Sequence, residues 1–115
     1  DCEHAEVLLH AAIDIFETVL GKEHPHTAVV YNNLAALYMD PSFKLDLNEA
    51  ERYLLKAKTI YEKVYGVQHS NTMNVYRRLM ILYGDRKQQG DYERSLEYYY
   101  KSNSKKQLRE LSFLK

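Results

Sequence analysis

The sequence predicts an all-α fold: a solenoid of antiparallel helix pairs, about two and a half repeats long, with a period of 45 residues. Three observations carry that reading. Residues 20–38 read LGKEHPHTAVVYNNLAALY and residues 65–83 read YGVQHSNTMNVYRRLMILY. Gly21 matches Gly66, His24 His69, Thr27 Thr72, Tyr31 Tyr76, Leu34 Leu79, Leu37 Leu82 and Tyr38 Tyr83, each pair 45 apart. The same offset aligns AEVLLHAAIDIFETVLG (5–21) with AERYLLKAKTIYEKVYG (50–66). Within each copy the apolar residues fall three and four apart, the spacing of a helix face. A period of about 20–50 residues marks units that bury their apolar faces by stacking on one another.

The elements follow in order. Residues 3–20 place Ala5, Leu8, Leu9, Ala12, Ile15, Phe16, Val19 and Leu20 at helical spacing. Gly21 comes where that helix should end, because glycine accepts the left-handed conformation of a C-cap. Pro25 suits the first turn of the next helix, 26–39, where a missing N–H does no harm. The inner stripe of this helix is Ala28, Tyr31, Leu34, Ala35 and Tyr38. Pro41 keeps Asp40 out of the helical region, so residues 39–47 are expected as a loop. Asn48, with Glu51 three residues on, is expected to open a third helix as a capping box. This helix runs over 48–65 through Ala50, Tyr53, Leu54, Ala57, Ile60, Tyr61 and Val64 and closes at Gly66. A fourth helix, 70–84, turns Tyr76, Leu79, Met80 and Tyr83 inward, and GDRKQQG (84–90) is read as the loop after it. Asp91 is expected as N-cap of a fifth helix from Tyr92 to Asn103. Leu108, Leu111 and Leu114 suit a short terminal helix or tail over 107–115. The single domain 1–115 thus divides into the second helix of a partial repeat (3–20), a repeat at 24–66, a repeat at 69–104 and the tail. It enters the repeat at mid-register, so it is expected to be a piece of a longer array.

Composition excludes several function classes. Sixteen Lys+Arg balance sixteen Asp+Glu, and the pI is about 7.1. Attraction to nucleic acid needs a basic excess or stripe, so no nucleic-acid partner is expected. The basic KKQLR (105–109) is short and terminal. No apolar run reaches the roughly 18 residues of a membrane span, so no membrane insertion is expected. The start, DCEHAEVLL, is acidic and helical in pattern, unlike a signal or transit peptide. The single Cys2 cannot form an internal disulfide, which favours a cytoplasmic setting. Among the five histidines, His4 and His10 are six apart and share no helical face, and no HExxH pattern occurs. His24 and His69 are repeat-equivalent, which assigns them a structural role at the helix–helix turn. No nucleophile motif or glycine-rich phosphate loop is present. The reading therefore expects no metal, no cofactor, no catalytic residue and no enzyme activity.

These residues resemble tetratricopeptide repeats, and among those the longer kinesin-light-chain type. That pattern, LG..HP.TA...NNLA.LY with EAE.....A later, stands here as LGKEHPHTAVVYNNLAALY and NEAERYLLKA, and the resemblance covers about residues 3–103. In the second copy HS replaces HP, YRRLMILY replaces YNNLAALY, and Met80 stands where a small residue is usual. The stretch YRRLMILY…GDYERSLEYY is also similar to the substrate-adaptor family of amyloid-protein-binding protein 2. The resemblance implies a right-handed solenoid whose first helices line a concave groove. It implies a protein–protein interaction module or scaffold that binds a partner peptide there, as an adaptor recruiting cargo or substrate. The alternative is a structural segment that packs against further repeats or forms a homo-oligomer through its exposed ends.

By the same resemblance Val29, Asn32, Asn33, Ala36 and Met39 face the groove, followed one repeat later by Asn74, Arg77, Arg78, Ile81 and Gly84. Asn33 and Arg78 match positions that hold a ligand backbone or terminal carboxylate in peptide-binding relatives. An Asn amide offers both donor and acceptor, and Arg offers a fork for a carboxylate. Asn74 replaces a usual Lys, so capture of a terminal carboxylate is not implied. Lys58 and Glu62 are expected to face solvent, away from the groove.

Overall fold

A computed structural model of the chain describes residues 2–103. Five helices follow one another: α1 (Cys2–Val19), α2 (Pro25–Tyr38), α3 (Leu47–Tyr65), α4 (Ser70–Arg86) and α5 (Asp91–Ser102). No strand occurs among the described residues. Each helix packs mainly on its neighbours in the chain, α1 on α2, α2 on α3, α3 on α4 and α4 on α5, which is the order of a linear stack. The terminal helix or tail expected at 107–115, and the last residue of the repeat at 69–104, lie outside the described residues.

The residues that recur at 45 are the ones that hold the stack. Gly21 and Gly66 have φ of +95° and +86°, a region that favours glycine. Their carbonyls accept from the buried hydroxyls of Thr27 and Thr72 at 2.9 and 2.8 Å, which ties the start of each first helix to the end of the helix before it. His24 and His69 are the N-caps of α2 and α4. The imidazole Nδ1 of each accepts a backbone N–H at 3.0 Å, from His26 and Asn71 respectively.

Tyrosines tie each first helix to the preceding second helix. Tyr31 donates to Glu17 and Tyr38 to Glu6, both at 2.6 Å. One repeat on, Tyr76 donates to Glu62, and Tyr83 to Glu51 at 2.6 Å. The ring of Tyr53 stacks on Tyr31 and Tyr38 with centroids 5.9 and 6.3 Å apart, and Tyr98 packs likewise on Tyr76 and Tyr83 at 5.7 and 6.0 Å. Burial, reinforced by the carboxylate partners, pushes the Tyr31, Tyr38, Tyr76 and Tyr83 hydroxyls well above the usual phenol range. They therefore act as neutral donors. Between the tyrosines, Ala28, Ala35, Ala50 and Ala57 are fully buried and let the helices approach, while Leu34, Leu54, Leu79 and Leu82 fill the space. Each such leucine contributes about 1.5–3 kcal/mol through burial. Met80 is half-buried and packs against this core.

Three helix ends and one face differ from the sequence reading. The N-cap of α3 is Asp46, which accepts from the Glu49 N–H at 3.1 Å. Asn48 instead accepts from Arg86 at 2.8 Å. Helix α4 runs through Gly84 to Arg86, and the chain turns at Lys87 in a left-handed conformation. Asp91 is the first residue of α5, fully buried, with Gly90 in the cap position. Finally, Lys58 and Glu62 do not simply face solvent. Lys58 donates to the Tyr98 hydroxyl at 3.1 Å, and Glu62 holds Tyr76. Their spacing on α3 gave no sign of partners on the next repeat.

Candidate peptide-binding face

The first helices, α2 and α4, place the expected site residues in three groups. Asn32, Asn74 and Arg78 are half-buried and joined. The Asn32 amide donates to Asn74 Oδ1 at 3.2 Å, and Arg78 Nη1 donates to the Asn32 carbonyl at 3.0 Å and to Asn32 Oδ1 at 3.3 Å. Asn33 and Arg77 are exposed, as are Val29 and Ile81 at 44% and 49%. Ala36 is half-buried, Met39 leans on the core, and Gly84 lies exposed near the far end of α4. Arg78 therefore meets Asn32 rather than Asn33, and it couples the two first helices.

Asn32, Asn74 and Arg77 share a polar cleft of about 310 Å³ with Tyr61, Ser70 and Asn71. That volume is at the low end for ligand sites and fits a side chain or a short stretch of backbone. Its groups are amides, hydroxyls and one guanidinium, all suited to hydrogen bonding. The sequence reading missed Tyr61, Ser70 and Asn71. A signal was present: Ser70 and Asn71 replace Pro25 and His26 of the first copy, so the second copy departs from the repeat where α4 begins.

Two further clefts are copies of each other. One, of about 240 Å³, is lined by Lys22, Glu23, Tyr31, Lys56, Thr59 and Ile60. The other, of about 190 Å³, is lined by Glu62, Val67, Gln68, Tyr76 and Lys101. The Lys56 ammonium lies 5.3 Å from the Tyr31 ring centre, and Lys101 lies 5.7 Å from that of Tyr76. Recurrence at the repeat offset makes these clefts seams of the packing. Among the described residues no three His, Cys, Asp or Glu side chains gather as a metal site, and no helix is long and apolar enough to cross a membrane.

A tetratricopeptide repeat family model matches residues 1–26 and 46–71. The two matched segments are again 45 apart, and each takes in a second helix, the turn after it and the beginning of a first helix. No curated protein matches the chain, so none bears on the resemblance of its C-terminal part to the amyloid-protein-binding protein 2 family. Among solved structures, the crystal structure of BtubC (BKLC) from P. vanneervenii is similar, with a TM-score of 0.78 at 21% identity. The likeness covers 90% of this chain but 38% of that one, and at this identity it speaks to the fold alone. Repeats of this kind generally mediate protein–protein interaction. With the 45-residue register and the helix stack, these matches support a tetratricopeptide repeat protein of the kinesin-light-chain type.

Proposed function

We propose that the chain is a non-catalytic recognition module that holds a segment of a partner protein along the face shared by α2 and α4, and so serves as an adaptor or scaffold. The observation that carries this reading is the polar cleft of Asn32, Asn74 and Arg77 beside the exposed Asn33. Asn33 and Asn74 offer amides that suit the backbone of an extended peptide. The Arg77 side chain is exposed at the cleft and makes no side-chain hydrogen bond among the described residues, so its fork is available for a carboxylate. Arg78 has donors engaged by Asn32 and serves to keep α4 in register with α2. Val29 and Ile81 supply apolar surface on either side. The segment that fits carries an acidic side chain near α4 and apolar side chains flanking it. A cytoplasmic setting belongs to this reading and rests on the single cysteine.

A peptide array probed with the chain supplies a binder, which is then titrated against alanine variants at two salt concentrations. Arg77→Ala should weaken binding roughly tenfold, with the loss shrinking at high salt. Asn33→Ala should cost a few-fold at either salt concentration. Arg78→Ala should weaken binding and also lower the melting temperature. The exposed Glu93 is the control. Affinity that falls with Lys56→Ala while Asn33 and Arg77 are silent would place the ligand elsewhere.

A further inference from the structure

Tyr61 of α3 is only 3% exposed. Tyr31, Tyr38, Tyr76 and Tyr83 give their hydroxyl protons to glutamates, and Tyr98 accepts from Lys58. The Tyr61 hydroxyl has no hydrogen-bond partner among the described residues. No fully buried polar side-chain atom among them lacks a partner, so this hydroxyl opens into the polar cleft that Tyr61 lines. Burial pushes its pKa up and keeps it a donor. A donor held in so buried a side chain without a partner is unfavourable until an acceptor meets it.

The rest of the cleft has its acceptors taken and its donors free. The carbonyl and Oδ1 of Asn32 accept from Arg78, and Asn74 Oδ1 accepts from Asn32. The Arg77 guanidinium, the Asn74 amide N–H groups and the Ser70 hydroxyl donate to nothing among the described residues. No Asp or Glu among the described residues lines the cleft, and Glu62, next to Tyr61 on α3, is held by Tyr76. The first copy has no such set. Tyr61, Ser70, Asn74 and Arg77 stand where it has Phe16, Pro25, Val29 and Asn32, while His69, Thr72 and Tyr76 at the turn keep the identities of their counterparts.

Free donors with no carboxylate among them call for an anion. A carboxylate is filled by Arg77 alone in a bidentate pair, which leaves Tyr61 unmet. A phosphoryl group on serine or threonine has three acceptor oxygens and a charge of about −1.5 to −2 at neutral pH. It has enough acceptors for Arg77, Tyr61, Ser70 and Asn74 together. We infer that the cleft receives a phosphorylated serine or threonine of the partner segment, with Arg77 and Tyr61 as its principal donors. This rests on the reading that the face shared by α2 and α4 holds such a segment. The cleft, of about 310 Å³, suits a phosphoryl group on a short stem.

The test is an array in which every peptide is made three times, with serine, phosphoserine or glutamate at its centre, followed by titration of the best binder with the 115-residue chain. The phosphoserine form should bind roughly tenfold tighter than the glutamate form, and the serine form weakest. Tyr61→Phe keeps the ring and should weaken the phosphoserine form a few-fold while leaving the glutamate form unchanged. Asn74→Asp keeps the acceptor for Asn32, adds a negative charge and should abolish the preference for phosphoserine. Glutamate forms that bind as tightly as phosphoserine forms, with Arg77→Ala weakening both, overturn the inference and leave the peptide-binding reading standing. A phosphoserine preference that both Tyr61→Phe and Asn74→Asp leave intact also overturns it. So does inorganic phosphate that binds as tightly as the peptide, since the site would then belong to the free ion. No binder in any form removes the peptide-binding reading, and the inference with it.

Discussion

The connection from α2 to α3 and the connection from α4 to α5 occupy equivalent places, and Pro41 in the first stands where Arg86 stands in the second. Proline closes α2 at Tyr38, and Asp40 is left to accept from the N–H and hydroxyl of Ser42 at 2.9 and 2.7 Å. Asp46 then caps α3 from an exposed position. With no proline in the second connection, α4 continues to Arg86, whose guanidinium reaches Glu51 on α3 at 2.9 Å and Asp91 on α5 at 2.9 and 3.0 Å. Asp91 is the repeat equivalent of Asp46, yet it is fully buried and also accepts from the Gln88 N–H and from Arg94. The hydrogen bonds from Arg86 above all hold its carboxyl down to about 2. Burial works to raise Glu51, but bonds from Arg86 and Tyr83 outweigh it and hold that carboxyl below the usual range. One aspartate is thus a solvated cap in one copy and the centre of a buried ion pair in the next. A repeat fixes where a residue stands; what surrounds it depends on neighbours that do not repeat.

The largest expected effect separates these two aspartates. Asp91→Asn should destabilise the chain by roughly 3–5 kcal/mol in urea unfolding, because it leaves Arg86 buried with one partner fewer. Glu51 remains on Arg86, so the low end of that range is expected. The folded carboxyl of Asp91 titrates below its unfolded value of about 3.9. Its contribution is therefore present above about pH 4 and lost as the pH falls toward 2. An acid-unfolding curve that Asp91→Asn leaves in place would break the comparison. A middle effect tests where the copies should agree. Tyr31→Phe and Tyr76→Phe each remove a bond to a half-buried glutamate and should each cost about 1.5 kcal/mol in thermal unfolding. A clear inequality between them would show that the tyrosine ties are not equivalent. The smallest effect is Asp46→Ala, which should cost about 1 kcal/mol, the value of a helix cap, in the same urea experiment.

The five helices and their inner faces were legible because Tyr31, Leu34, Tyr38, Tyr76, Leu79 and Tyr83 repeat at one offset and pack as that offset requires. Helix ends were less so. Asn48 looked like a cap because Glu51 follows it at the right spacing, but Asp46 reaches the free N–H groups first and Glu51 is drawn to α4. Gly84 looked like a stop, yet glycine is tolerated inside a helix when packing supports it, and Ser95 of α5 lies alongside. At the candidate site the face was readable and the pairing was not. Register put Asn32, Asn33, Arg77 and Arg78 on one side, but which asparagine Arg78 meets depends on how α4 sits against α2. Lys58 and Glu62 were misread for the same reason, since their partners belong to the next repeat.

The ties at Thr27, Tyr31 and Tyr38 have a consequence for length. Each has a counterpart one repeat later, so the joint between one unit and the next is interchangeable. Removing residues 22–66 would join Gly21 to Val67 at an unchanged offset. Glu6 and Glu17 would then stand opposite Tyr83 and Tyr76, and the carbonyl of Gly21 opposite Thr72. Duplicating the same 45 residues would add one more set of bonds of kinds already present. Chains of this design can therefore grow or shrink by unequal exchange at the turn without inventing a new contact. The contact of Arg78 with Asn32, which joins two first helices and has no counterpart elsewhere among the described residues, is what such a removal would lose.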